Sequence, residues 1–511
     1  MKTLNDYKMY FDKLQGEQYF GRFGKIFTSD EKFYFLDTGT GKIAEVNSNV
    51  FCVMKALLEN NGFGGVLDLD MSDNNKISAL QEIVDAVEKE HILSAPPLKT
   101  LVGEPVLNLE RTYNGFMSNL TLEVTDRCNL RCKYCIYNPD NPSFRGFGKS
   151  DMNFDTAKLA IDFFEKHSRE REKVYLGFYG GEPLLNYKLI EQSVNYAKEI
   201  IRDKEISFSL TTNATLITPQ IAKFLVENEF EILISLDGPK DIHNENRIFI
   251  NGNGSFNSTI EGIKVILECY KQLEKEPKIG FSMVTSGSNY DEKYSKIQDF
   301  FEKAEWLPKN YILLTSTVSQ VPVDCDYILP QSEEERNIHK NVWTPLLKWS
   351  NDQEIRRNLF SMPYLNKNLS IIHQRLLVDK PTADYGMNGC CVPGGRRIYI
   401  AVNGDIYPCE KIGDVPTLGN VKTGLEIEKI KKVYVKDFID EAREYCKNCW
   451  AVNLCTLCYV NCYDKNGVHF KYRHRACVSE RKFLEDTLST YHYLVNHNPK
   501  IIEELNQIEF E

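Results

Sequence analysis

The chain has 511 residues, 42% of them hydrophobic and 26% charged, with a net charge of −10 from 62 basic and 72 acidic side chains. This length predicts two to four domains, and the composition is that of a globular protein rather than a disordered or collagen-like one. The acidic balance excludes nucleic acid as the default partner, no run of 18 apolar residues supplies a membrane span, and "MKTLNDYKMYFDKLQGEQYF" lacks the apolar core of a secretory signal.

The expectation is therefore a cytoplasmic protein, in which fifteen cysteines point to metal binding rather than to disulfides. Residues 1–97 read as a separate winged-helix-like unit. "EKFYFLDTGTGKIAEV" (31–46) predicts two strands around a Gly-rich turn. "NSNVFCVMKALLE" places Phe51, Met54, Leu57 and Leu58 at helical spacing, and "KISALQEIVDAVEKEHIL" repeats the pattern with Ile77, Leu80, Ile83, Val84 and Val87. "SAPP" then punctuates the chain, and 98–117 reads as a linker. Within 118–330, six short apolar segments (120–124, 173–179, 206–212, 231–237, 278–284 and 311–317) alternate with helix candidates at 155–167, 187–202, 218–228 and 256–270. Such β/α alternation implies a parallel sheet with right-handed crossovers. Six units fall short of the eight that close a full barrel, so the fold class is α/β with a partial, TIM-like (β/α)6 barrel. Residues 331–385 read as a helical linker and 386–485 as a Cys-rich domain. A C-terminal helix and tail (486–511) follow, with "SERKFLEDTLSTYHYLV" as a helix after the cysteines.

The cysteines are unevenly placed. Cys52, Cys269 and Cys325 are isolated and read as small buried hydrophobes. "CNLRCKYC" packs Cys128, Cys132 and Cys135 into eight residues just after the first barrel strand, at the strand end where such sheets carry their chemistry. Thiolates select zinc or iron–sulfur clusters. Structural zinc wants four closed ligands, whereas three thiolates suit a [4Fe–4S] cluster with one iron left open for a substrate.

C-x3-C-x2-C after a first strand resembles the radical S-adenosylmethionine (SAM) enzymes, and further landmarks follow in order over roughly 118–320. Tyr134 matches the aromatic that packs near the adenine in that family. "GGEP" (Gly180, Gly181, Glu182, Pro183) ends the second strand and resembles the segment that binds the methionine amino group. "TTN" ends strand three and "ISLDGP" strand four. The resemblance implies SAM contacts from Asn213 and Ser235 and, from Arg247, a contact with the SAM carboxylate. It also implies reductive cleavage of SAM to a 5′-deoxyadenosyl radical that removes a substrate hydrogen. Asp237, ending "ISLD", is the candidate general base, with a Gly-Pro turn residue as the alternative reading.

The last quarter reads Cys391, Gly404-x4-Cys409, Cys446-x2-Cys449-x5-Cys455, Cys458-x3-Cys462 and Cys477. This is similar to the SPASM domain, an extension of radical SAM enzymes with two auxiliary [4Fe–4S] clusters, three clusters in all. One cysteine in the 455–462 stretch is extra, so the assignment of Cys455, Cys458 and Cys462 stays open. Cys390 competes with Cys391 as a ligand, and zinc knuckles remain an alternative for the C-x2-C pairs. The N-terminal unit is similar in its order of elements to precursor-recognition domains that bind a leader peptide by strand addition. The whole resembles maturases that install cross-links, above all Cys thioethers, in a ribosomally made Cys-rich precursor peptide. Such an enzyme would need a reductant such as flavodoxin or ferredoxin. Two other readings are a sulfatase-maturase-like enzyme forming formylglycine and a non-catalytic iron–sulfur sensor or electron carrier.

Overall fold

A computed structural model describes residues 2–137, 146–285, 290–308, 311–317, 368–395 and 397–508. The N-terminal unit begins with a helix, Leu4–Gln15, whose first turn is closed by a Thr3–Asp6 capping box. A three-stranded antiparallel sheet follows: β1 (Gly24–Ser29), β2 (Lys32–Asp37) and β3 (Ile43–Val46). The sequence reading found β2 and β3 but neither the helix nor β1. Helices Ser48–Glu59 and Asp73–Glu90 cover one face of the sheet, and Tyr7, Phe11, Phe20, Val53, Leu57, Leu80 and Ile83 form their shared core.

The other face of the sheet is not free. Phe27, Tyr34 and Leu36 join a second core with Leu484 and Leu488 of the helix His474–His497. Polar bonds reinforce this seam. The Ser29 hydroxyl donates to the Ser489 carbonyl (2.6 Å), Thr38 to that of Trp450 (2.8 Å) and the Arg22 guanidinium to that of Lys447 (3.0 Å). The expected break at 485/486 thus falls inside one helix, which also supports the N-terminal unit.

The stretch 98–117, expected as a linker, is structured. Its strand β4 (Thr100–Val102) will pair with β11, and short helical turns follow it. The six expected barrel strands are present as β5 (Asn119–Thr125), β6 (Lys173–Gly180), β7 (Glu205–Thr212), β8 (Glu231–Ser235), β9 (Ile279–Thr285) and β10 (Ile312–Thr317). Each pairs in parallel with the next. Helices Phe154–His167, Tyr187–Ile200, Pro219–Glu227, Phe256–Gln272 and Tyr290–Lys303 alternate with them. Their starts follow local chemistry: Asn153 caps the first through the Thr156 N–H, and Thr218 caps the third, with Pro219 at its first position. Leu122, Val124, Leu176, Phe178, Leu210, Ile234 and Phe281 are fully buried. Each contributes roughly 1.5–3 kcal/mol by leaving water.

The barrel sheet does not stop at β5. Beyond β11 (Asp384–Gly386), β12 (Ile398–Ile400) adds to β5 in parallel, with Ile398 opposite Leu120. Strands β13 (Asp405–Tyr407), β14 (Gly419–Asn420) and β15 (Gly424–Leu425) continue antiparallel, giving a ten-stranded sheet. The Cys-rich region is therefore grafted onto the edge of the barrel. Most of the expected helical linker 331–385, with Cys325 before it, lies outside the described residues. Cys269 is buried as expected, but Cys52 is exposed. No helix among the described residues is long and apolar enough to cross a membrane.

Candidate active site

The C-terminal ends of β5 to β9 gather the expected site residues. The loop after β5, carrying Cys128, Cys132 and Cys135, is held on two sides. On one side, the Arg131 N–H donates to the Ile248 carbonyl (2.7 Å) and the Lys133 N–H to that of Asn246 (3.1 Å). On the other lies "GGEP". The Gly181 N–H donates to the Thr125 carbonyl (3.0 Å) and the Glu182 N–H to that of Arg127 (2.8 Å). A Cβ on Gly180, whose φ is 139°, would lie 2.1 Å from the Thr125 carbonyl oxygen, and one on Gly181 would lie 2.1 Å from that of Arg127. The sequence reading gave these glycines to a ligand. In the structure their missing side chains let strand six press against the cysteine loop.

Glu182 is fully buried. Its carboxylate accepts from the Thr212 hydroxyl (2.7 Å), the Asn213 N–H (2.8 Å) and the Leu184 N–H (3.2 Å). Burial pushes its pKa up to about 7 against the pull of these donors. Pro183 starts the short 3-10 turn that follows. The Asn213 amide donates to Asn129 (2.9 Å), which ties the end of β7 to the cysteine loop. Asn129, inside "CNLRC", is a site residue that the sequence reading passed over. Ser235 closes β8, opposite Ser282.

Asp237 and Arg247 form a buried ion pair, with Nε 3.0 Å from Oδ2. The same oxygen accepts the Tyr134 hydroxyl, and Oδ1 accepts the Val284 N–H at 3.0 Å. The Arg247 guanidinium also lies 5.4 Å from the centre of the Tyr134 ring and against Cys132. Burial opposes its charge, but Asp237, Tyr134 and Cys132 outweigh that and hold the proton firmly. Both oxygens of Asp237 are thus engaged by donors. This arrangement suits a carboxylate that positions Arg247 and Tyr134 beside the cysteines, the alternative to the expected base. His243 and Ser255, which the sequence reading missed, back this pair. The Ser255 hydroxyl donates to the Arg247 carbonyl (2.9 Å) and contacts His243 Nε2 (3.0 Å). Burial lowers the His243 pKa to about 4, so it stays neutral.

Asp237→Asn separates the two roles. A positioning role predicts that SAM cleavage and product formation fall together, by about ten- to a hundredfold for a charge-assisted hydrogen-bond set worth 1.5–3 kcal/mol. Cleavage at the wild-type rate with product lost would restore the base.

No disulfide joins any of the fourteen described cysteines. Burial pushes Cys128 up to about 12 and Cys135 to about 11; Cys128 feels both other thiols of its loop, and Cys135 feels Cys132. Among the described residues no group of three or more His, Cys, Asp or Glu converges tightly enough for a single ion. Three thiols in one loop suit a [4Fe–4S] cluster with one open iron better than structural zinc, which wants four ligands. The C-terminal cysteines fall into two groups. Cys446, Cys449, Cys455 and Cys477 line one pocket, which Cys390 also borders. Cys409 senses Cys391 and Cys458, while Cys390 senses Cys391, Cys458 and Cys462. Cys462 is fully buried and also reaches toward Cys446 and Cys477, between the two groups.

Residues 122–293 match the radical SAM superfamily, and residues 390–450 match the SPASM iron–sulfur cluster-binding domain. The chain thus carries a radical SAM domain followed by a SPASM domain. It is 28% identical over 327 residues to the uncharacterized protein MJ0907 of Methanocaldococcus jannaschii, covering 63% of this chain and 96% of that one. It is 27% identical over 392 residues to the cysteine-type anaerobic sulfatase-maturating enzyme of Clostridium novyi, covering 74% and 97%. It is 23% identical over 470 residues to the radical SAM cyclopropyl synthase TigE of Paramaledivibacter caminithermalis, covering 89% and 92%. Among solved structures, native anSMEcpe with bound AdoMet superposes with a TM-score of 0.53 at 23% identity, over 76% of this chain and 100% of that one. The cofactors of this radical SAM/SPASM enzyme are SAM and [4Fe–4S] clusters.

Proposed function

We propose that this enzyme is a maturase of a ribosomally made, Cys-rich precursor peptide, in which it installs cross-links, above all Cys thioethers. Cys128, Cys132 and Cys135 would hold the SAM-binding cluster. Cys446, Cys449, Cys455 and Cys477 would hold one auxiliary cluster, and Cys391, Cys409 and Cys458, with Cys462 or Cys390, the other. When bound at the reduced cluster, SAM supplies a 5′-deoxyadenosyl radical that takes a hydrogen atom from the substrate. The chain's own residues orient and exclude water. Glu182 offers a buried carboxylate beside Cys128, suited to an ammonium group. Tyr134 offers an aromatic face, and Asn213 and Ser235 offer polar groups at the strand ends.

The observation that carries the peptide reading is the N-terminal unit. The anSMEcpe fold accounts for three quarters of this chain, and the share left over is of the size of residues 1–97. In that unit β2 is central and β1 faces the helix His474–His497. No strand among the described residues pairs with the outer edge of β3. The Asp37 N–H donates to the Lys42 carbonyl (2.9 Å). By antiparallel alternation the N–H groups of Ile43 and Glu45 therefore point outward, ready for an added strand. A leader peptide and a reductant such as flavodoxin or ferredoxin are the partners this implies.

Glu45→Pro removes one outward donor at an edge position that tolerates proline. It is expected to weaken binding of a leader-bearing peptide about tenfold, for one backbone hydrogen bond plus its steric block, and to spare SAM cleavage without peptide. Unchanged leader affinity by calorimetry would remove the recognition role. The name of the Clostridium novyi relative favours a second reading, formylglycine formation on a sulfatase. Mass spectrometry of the product separates the two: a cross-link changes peptide connectivity, whereas formylglycine leaves an aldehyde.

A further inference from the structure

We propose that Arg473 is the buried counter-charge of the Cys446/Cys449/Cys455/Cys477 site, and that it raises the reduction potential of the cluster there. The inference rests on that ligand set. Arg473 is 4% exposed. One guanidinium nitrogen, Nη2, lies 3.6 Å from Cys455 Sγ and donates to the Leu457 carbonyl at 3.1 Å. The flat group is packed 4.7 Å from the centre of the Phe470 ring and 5.9 Å from that of Phe438. Its Nε–H is buried with no hydrogen-bond acceptor. The residue lines the same pocket as the four cysteines.

A guanidinium taken out of water normally brings a carboxylate with it. Arg473 makes no ion pair among the described residues. The acid in the same pocket, Glu480, is engaged by the Thr456 N–H (2.8 Å) and hydroxyl (2.7 Å). What surrounds Arg473 instead is sulfur. Cys455 Sγ lies 3.6 Å from its guanidinium, and Cys446, Cys449 and Cys477 line the same pocket. With all four ligands of the pocket deprotonated, the thiolates outweigh the core charge of a cluster and the loaded site is anionic. The fixed cation then does two things. It offsets the repulsion among the thiolates, and it offers Nε–H to a sulfur that no protein group satisfies. One-electron reduction adds negative charge to the site, which a nearby cation and a hydrogen bond to sulfur both favour. Cys462, between the two groups, also lies in its field, so the neighbouring cluster is affected as well.

The experiment is an EPR-monitored redox titration, with dithionite as reductant, of the full chain carrying Cys128→Ala, Cys132→Ala and Cys135→Ala. Only the auxiliary clusters then contribute. Arg473→Gln is expected to keep its iron and to lower one of the two midpoint potentials clearly and the other less. Arg473→Lys keeps the charge but loses the Nε–H donor, and is expected to show a smaller lowering. Full iron with both midpoints unchanged in Arg473→Gln overturns the proposal. If Arg473→Gln does not load, Arg473→Lys decides: a lowered midpoint supports the proposal and an unchanged one overturns it. Iron loss in both variants also overturns it, because Arg473 would then serve assembly rather than potential. Wrong ligands would show separately, as Cys455→Ala retaining the iron of the parent.

Discussion

Replacing Cys128, Cys132 and Cys135 together with alanine is expected to abolish formation of 5′-deoxyadenosine from SAM while leaving about eight irons per chain, by the rule of four thiolates per cube. The loss should be complete rather than partial, because no other described cysteine group stands at the strand ends with Glu182, Asn213 and Tyr134. The C-terminal clusters should survive because their cysteines are carried by separate elements. Cys391 precedes β12, Cys409 follows β13, and the others lie around the helix Asp437–Cys446 and at the start of His474–His497. The cysteine loop itself is held by backbone bonds to residues 181, 182, 246 and 248, so its thiols are not needed for its path. Iron and sulfide analysis with a SAM-cleavage assay checks both halves. Near-zero iron would show that the β12–β5 seam couples assembly of the two regions. Retained deoxyadenosine would remove these cysteines from the chemistry.

Arg247→Met is expected to be among the most damaging single changes outside the cysteines. It leaves Asp237, 1% exposed, with the Tyr134 hydroxyl and the Val284 N–H but no counter-charge. Breaking a buried pair in this way costs about 3–5 kcal/mol. The damage should be local to the barrel, where Asp237 bridges the loop after β8, the Val284 backbone of β9 and the cysteine loop. A second change separates charge from shape. Asp237→Leu on top of Arg247→Met removes the stranded carboxylate, so the double variant should recover part of the stability. Thermal unfolding of the two variants reads this directly. A double variant no more stable than Arg247→Met would mean that packing, not charge, dominates the site.

Much of this protein was legible in the chain itself. The six barrel strands and four of their helices follow from alternating apolar runs bounded by Asn, Thr and Pro, because burial on a parallel sheet and helix capping are local demands. The cysteine triplet and the paired C-terminal spacings declare their chemistry for the same reason: ligand type and spacing are written along the sequence. The helix Leu4–Gln15 carried a readable signal, with Leu4, Tyr7, Phe11 and Leu14 at helical spacing, whereas β1 has only Ile26 and Phe27 as apolar residues and they pack into different cores.

Tertiary structure decided the rest. Only folding brings Asp237 under three donors, an arrangement that favours positioning over proton transfer. The carboxylate's partners come from three separate segments, and no local pattern announces a hydrogen bond across 103 residues. Only folding shows that the glycines of "GGEP" are small so that β6 can press against the cysteine loop. It also places Cys455 with Cys446, Cys449 and Cys477 and sets Cys458 beside Cys391 and Cys409. Spacing alone leaves that partition open, because C-x2-C and C-x3-C steps can reach either site. Arg473, four residues before Cys477 in "YRHRAC", reads as one basic residue among several. Its burial without a carboxylate is a property of the folded chain, since desolvation depends on what the rest of the molecule packs around it.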